Sequence, residues 1–293
     1  MKKYVLCVII VILLLQGCAK NYKAEELKTD LIHKQETTTP TPTLEPTPSP
    51  EPTPTPTPEP ELVLPQATND SGKVRIQTAS ISTTHPYTSY VISSVKGENV
   101  VVDPTAMPPI NVVDFKPVAI ISTHPHNDHV DSVFTRSYDC HKLYYEKGEI
   151  QTNDFNIYTI LSSHSNDIIK EANQNVIIVL EVDGLRIAHM GDIGQTELTE
   201  EQLTDLGEID IAFMQFENSY SSMTLKNEKG FYLIEQLNPT IVIPTHYSLN
   251  ALPILEEKYG AITKIENKLD INKEDLPEGP MNVYIISNEY KYF

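Results

Sequence analysis

Only three cysteines occur in the 293 residues, at positions 7, 18 and 140. The first two belong to an N-terminal segment expected to be cut away or modified, so the mature chain keeps Cys140 alone and cannot close an internal disulfide. Cys140 is expected to be a buried small hydrophobe rather than a reactive thiol. Basic residues are also scarce, 22 Lys+Arg against 40 Asp+Glu, for a net charge of -18. Leaving aside the first 69 residues, the remainder carries 16 basic and 32 acidic groups. Such a surface repels phosphate backbones and anionic bilayers, which argues against a nucleic-acid partner. Nor is there a long apolar run. The one at residues 4–15 is too short to span a bilayer, which takes roughly 20 residues.

That short run has another use. Lys2 and Lys3 precede it and Gln16-Gly17-Cys18 follows it, the layout of a secretory signal. Leu15-Gln16-Gly17-Cys18 resembles a bacterial lipobox, which implies lipidation of Cys18 by acyl chains such as palmitate. Several acyl chains anchor a protein stably, so the expectation is an exported domain tethered to a bacterial membrane and facing away from the cytoplasm. Residues 40–60 hold ten prolines in twenty-one positions. Proline fixes φ and removes donors, so this stretch is expected to be a polyproline II stalk. The organisation is therefore a signal peptide over 1–17, a lipidated cysteine and spacer over 18–69, and a globular domain over 70–293.

Within the domain, short apolar runs alternate with turn signals. Residues 90–92, 100–102, 118–121, 209–215 and 240–243 are expected to be buried strands. Residues 176–182 and 185–189, joined by Asp183-Gly184, are expected to form a hairpin. Helical spacing covers 199–206 and 225–237, with Pro239 stopping the second helix. The sum is a layered α/β sandwich.

The chemistry concentrates in Thr123-His124-Pro125-His126-Asn127-Asp128-His129, directly after the strand at 118–121. Loops at strand carboxyl ends are where open α/β sheets place their sites. His124 and His126, two apart on extended chain, can grip one ion, while Asp128 and His129 can face a second. Imidazole with carboxylate suits zinc, and also iron or manganese. Three further candidates follow apolar strands: His164, Asp192 and His246.

This order of residues resembles the metallo-β-lactamase superfamily of binuclear hydrolases, whose signature is H-x-H-x-D-H. The resemblance implies an αββα sandwich with two divalent metal ions at one edge between the sheets, zinc first and manganese or iron as alternatives. It assigns His124, His126 and His164 to one metal, Asp128, His129 and His246 to the other, and Asp192 to both. Asp103 looks like the family's supporting aspartate, and His189 is expected to pack or support rather than ligate. Asp192 points toward the lactonase, glyoxalase and phosphodiesterase branches. Met223-Thr224 and Pro244-Thr245-His246-Tyr247 resemble the branch of L-ascorbate 6-phosphate lactonase. That branch carries a glycine pair where this chain has Gln215-Phe216-Glu217-Asn218, so the lactonase activity does not carry over.

The expected function is hydrolysis of a small ester, lactone, amide or phosphodiester by a metal-bridging hydroxide, since paired divalent ions lower the pKa of a shared water toward about 7. Asp128 is the candidate catalytic residue, orienting that hydroxide and shuttling its proton. Tyr247 and Asn218, with Glu217, are candidate substrate contacts. The alternative is a lipid-anchored metal-binding or sensory module without turnover.

Overall fold

The computed structural model describes residues 67–84, 87–170 and 175–287. The signal segment, Cys18 and the proline tract lie outside them. In chain order the strands are β1 (Val74–Thr78), β2 (Tyr90–Ser93), β3 (Asn99–Val102), β4 (Pro117–Ser122), β5 (His141–Tyr144), β6 (Glu149–Gln151) and β7 (Phe155–Ser162). They continue with β8 (Asn175–Val182), β9 (Leu185–His189), β10 (Ile211–Met214), β11 (Ile241–Pro244), β12 (Thr263–Ile265), β13 (Lys268–Ile271) and β14 (Asn282–Ile286). The helices are α1 (Ser132–Arg136), α2 (Glu200–Leu206), α3 (Lys229–Leu237) and α4 (Ala251–Tyr259). Among the described residues no helix is long and apolar enough to cross a membrane.

Two sheets result. One has the order β13-β1-β2-β3-β4-β5 and the other β12-β14-β11-β10-β9-β8-β7-β6. Alternation along each strand sorts the apolar side chains into layers. Val100 and Val102 of β3, Ala119 and Ile121 of β4, Ile178 and Leu180 of β8, and Ile211 and Phe213 of β10 share the core between the sheets. Ile177 and Val179 of β8, Ala212 and Met214 of β10 and Val242 of β11 turn outward, where they meet Phe231 and Ile234 of α3 and Leu255 of α4. Val101 and Ile120 face the other way, toward Phe115 and Phe134 of α1. The architecture is an αββα sandwich. Cys140 is half-buried against the last of these clusters, less enclosed than expected, and burial pushes its thiol up.

Most expected elements appear with small shifts. The hairpin turn is Asp183-Gly184, both at positive φ (46° and 83°), with Val182 opposite Leu185. This two-residue geometry suits the right-handed twist of the flanking strands. Thr199 caps α2 through a reciprocal bond pattern with Gln202. The helix expected from 225 begins instead at Lys229. Asn227 exchanges hydrogen bonds with Thr224 at 3.1 and 3.2 Å, so a local side-chain turn displaces the first helical turn. The described residues include three before position 70. The Asn69 side chain donates to Lys73 O at 2.6 Å and Ser94 O at 2.9 Å, fastening residues 67–69 to the first sheet.

Strand direction then places the site. β3 and β4 run parallel, as do β9, β10 and β11, and β7 is separated from β9 by the antiparallel β8. The carboxyl ends of β3, β4, β7, β9, β10 and β11 thus share one edge of the sandwich.

Candidate metal centre

Each of those six strand ends delivers part of one cluster. β3 ends at Asp103, fully buried and at φ 48°, a left-handed conformation that Asp tolerates better than most residues. Its carboxylate accepts from Thr123 N at 2.7 Å, Thr123 Oγ1 at 2.8 Å and His129 Nδ1 at 2.7 Å. It therefore folds the loop after β4 back onto itself. With Nδ1 of His129 committed to Asp103, and Nδ1 of His124 lying 3.1 Å from Thr123 Oγ1, the Nε2 atoms of both rings are left to face inward.

They face Asp192. His124 Nε2 lies 3.4 Å from its Oδ2, and His164 Nε2, arriving after β7, lies 3.7 Å from the same oxygen. His129 Nε2 lies 3.4 Å and His246 Nε2 3.3 Å from Oδ1. Asp128 sits at the open side, 3.8 Å from His129 Nε2 and 3.7 Å from His246 Nε2. His126 joins His124, His164 and Asp192 in one group of possible metal ligands. Two further groups, His124 with Asp128 and His129, and His129 with Asp192 and His246, overlap it. All seven residues singled out from the sequence are brought together. His189 is outside these groups, stacked on Phe213 with ring centroids 5.2 Å apart and accepting from Gly191 N at 3.1 Å.

Buried polar atoms normally find hydrogen-bond partners. Here His124 Nε2, His164 Nε2 and Asp192 Oδ1 are buried without any. Orphaned atoms of three ligand-type groups converging on one point are what a cation would satisfy, and the nitrogen and oxygen donor set suits zinc, manganese or iron. The electrostatics agree. Burial, helped by the neighbouring charge on His129, pushes His124 down to about 4, so it is a neutral ligand at neutral pH. For Asp192, burial works toward protonation but is outweighed by the charge on His129 and the imidazoles of His124 and His164, which hold it well below the usual carboxylate range. Burial likewise opposes charge on His129, yet Asp103 and Asp192 on either side raise it well above the ordinary imidazole value.

A layer of amides sets these groups, and it was not evident in the sequence. Asn175, fully buried at the start of β8, donates to Ser162 Oγ and Met190 O, both at 2.8 Å, and accepts from Asp192 N at 2.9 Å. One side chain thereby ties the end of β7 to the loop bearing Asp192. Gly191 at φ 57° makes room for it, since a Cβ there would meet Asn175 Oδ1 at 2.3 Å and Thr123 Cβ at 2.6 Å. Gln195 accepts from Ser163 N at 3.0 Å, beside His164, and exchanges amide bonds with Gln202 of α2 at 2.9 and 3.0 Å. Asn218 donates to Asp192 Oδ2 at 2.6 Å and accepts from Tyr220 N at 3.0 Å. Expected as a substrate contact, it is here a support of the carboxylate. Gln215 donates to Ile193 O at 2.7 Å, so the loop that departs from the glycine pair braces the Asp192 loop. Glu217 lends its backbone N–H to His246 O at 3.0 Å. Tyr247 stacks on Tyr87 at 5.2 Å.

A model of the beta-lactamase superfamily domain matches residues 83–246, more than half of the chain and all six strand ends. The chain belongs to this superfamily. Its fold is shared by a candidate Zn-dependent hydrolase of the metallo-beta-lactamase superfamily from Thermotoga maritima, 18% identical, over 73% of this chain and 100% of the other, at a TM-score of 0.53. A candidate metal-dependent hydrolase from Parabacteroides distasonis is also 18% identical, with 72% and 92% covered and a TM-score of 0.49. No curated protein matches the chain. The matched stretch includes the histidine loop after β4, whose shape Asp103 and Thr123 fix.

Proposed function

We propose that the protein is a binuclear metal-dependent hydrolase acting outside the cytoplasm on a small ester, lactone, amide or phosphodiester. The observation that carries this reading is a cluster of seven ligand-type side chains gathered on Asp192, within which His124 Nε2, His164 Nε2 and Asp192 Oδ1 are buried without hydrogen-bond partners. In it His124, His126 and His164 would hold one divalent ion, Asp128, His129 and His246 a second, with Asp192 shared. Zinc is the first choice, manganese or iron the alternatives. When bound, two such ions lower the pKa of a shared water and stabilise negative charge developing on the substrate.

The chain supplies the rest. Asp128, at the open side of the cluster, accepts the proton of the attacking water and passes it to the leaving group. Asp103, through Thr123 and His129, keeps both imidazoles turned inward. Asn218 and Asn175 hold Asp192 by its carboxylate and its backbone, so the ligand set is formed before substrate arrives. Lipidation of Cys18 and the proline stalk complete the proposal, holding the domain off a bacterial membrane with a small molecule and no nucleic acid as partner.

Elemental mass spectrometry of the chain purified without added metal tests the reading, together with turnover on a panel of lactones, esters and bis-phosphodiesters. The expected result is about two metal equivalents per chain and hydrolysis abolished in both His126→Ala and Asp128→Ala with circular dichroism unchanged. About one equivalent makes the centre mononuclear and removes the sharing role of Asp192. Metal without turnover favours the binding or sensory module, and no metal after reconstitution sinks the enzyme.

A further inference from the structure

Beside the candidate centre lies a cavity of about 360 Å³ that shares His246 as part of its wall. This is within the size range of small-molecule sites. Two larger cavities, about 690 and 810 Å³, lie at the opposite end of the sandwich, where Glu181, Asp210, Arg186 and Lys273 pair with one another. The cavity beside His246 has a different character. Tyr87 and Tyr247 stack along it, ring centroids 5.2 Å apart and planes 27° from parallel. Thr83, Thr84 and Ser248 add hydroxyls, and Thr245 brings an Oγ1 that is buried without a hydrogen-bond partner. No Lys, Arg, Asp or Glu is among its described lining residues.

We propose that this cavity is the substrate subsite, with the Tyr87–Tyr247 pair as its wall, and that it takes an uncharged ring bearing hydroxyl groups. The inference deepens the hydrolase reading and rests on it for the word substrate. An aromatic pair offers a flat face to a ring, and the hydroxyl rim exchanges hydrogen bonds with hydroxyls in either direction. Among the described lining residues an anionic group finds no Lys or Arg, and the metal side of His246 is the one source of positive charge the hydrolase reading offers it. Such a group also meets the field of a domain with 32 acidic against 16 basic residues beyond position 69, which repels it further. Selection here works through shape and neutral polarity, and the bond to be broken lies toward His246.

The probe is phenyl β-D-glucopyranoside, titrated into the metal-containing full chain and followed by saturation transfer to its phenyl protons. Its 4-sulfophenyl counterpart, a poor metal ligand, serves as the anionic control. Thr84→Trp fills the cavity from an exposed position and is expected to weaken probe binding more than tenfold. Tyr247→Leu is expected to weaken it roughly two- to tenfold, the worth of one stacking partner. Circular dichroism checks that both variants fold. Binding that is equal in wild type and both variants, or stronger for the sulfonate, overturns the proposal. So does hydrolysis of the ester panel by a chain that does not bind the neutral probe. Probe binding that obeys these expectations in a chain without turnover upholds the subsite and sinks only the hydrolase reading.

Discussion

At the end of the sandwich where the parallel strands begin, carboxylates meet cations. Arg75 is nearly buried and donates to both oxygens of Asp270 at 2.6 and 3.0 Å, Arg186 pairs with Glu181, and Lys273 reaches Asp210 at 2.5 Å. At the end where the same strands finish, Asp103 and Asp192 are at least as deeply buried, yet among the described residues their charged neighbours are imidazoles. A guanidinium is never deprotonated in a protein, so an Arg–carboxylate pair is closed to further chemistry. An imidazole can release its proton and offer a lone pair to a metal. One end has settled its charges for stability, and the other keeps them available.

The largest effect that separates the two ends is expected for Asp192→Ala. Removing the group on which four imidazoles converge should cost more than about a hundredfold in activity, beyond the usual loss for an outer-shell partner, and take metal content from about two equivalents to one or fewer. Unchanged metal content in this variant would erase the distinction between the ends. Asp103→Asn comes next. It keeps an oxygen for Thr123 but loses the charge facing His129, and metal affinity should fall about 10- to 100-fold. Competition with a chromogenic chelator measures it. Asn175→Ala belongs in the same range, because both loops it ties carry ligands. Wild-type affinity there would show that the backbone alone holds them.

How much of this could be seen in the sequence follows from the same physics. The dense histidine loop after a four-residue apolar run was legible, as were His164, Asp192 and His246, because each follows a short apolar run that reads as a strand. β12 and β13 were not, since Thr263-Lys264-Ile265 and Lys268-Leu269-Asp270-Ile271 are edge strands of only three and four residues with exposed charged positions. The amide layer was hidden for another reason. Asn175 bonds to partners 13, 15 and 17 residues away, and Asn218 to one 26 away, so their use exists only once the sheets have formed. A polar residue opening the apolar run 176–180 of β8 was the one available signal for Asn175.

Proton competition gives a smaller effect and divides the centre itself. His129, raised by Asp103 and Asp192 against the pull of burial, holds its proton at neutral pH in the metal-free chain. Its contribution to metal-free stability is then full below the unfolded value of about 6.5 and is lost as pH climbs through the higher folded value. A metal needs the neutral ring, so binding at His129 expels a proton and should strengthen by up to about tenfold per pH unit in that window. His124, at about 4, is already neutral above pH 5 and releases no proton of its own on binding. Calorimetric titration in two buffers of different ionisation enthalpy counts the protons. Release of none with either equivalent would contradict the asymmetry.

The smallest effect is expected at the other end, and it should leave the metal untouched. Arg75→Met strands Asp270, whose side chain is 29% exposed, so water offsets part of the loss and the cost should be about 1–3 kcal/mol. For a domain of this size that is roughly 2–4 °C in Tm per kcal/mol. Replacing both partners, Arg75→Met with Asp270→Leu, should recover much of it, because an apolar pair of similar volume often serves as well as a buried ion pair. No such rescue is available to Asp103 and His129, where an apolar pair would refill the space and abolish the ligand. Thermal melts and metal content on the two double replacements therefore separate a charge kept for packing from a charge kept for a cation. If the Arg75 and Asp270 replacements also lowered metal content, the ends would be coupled through the sheets, and the independence argued for them would fail.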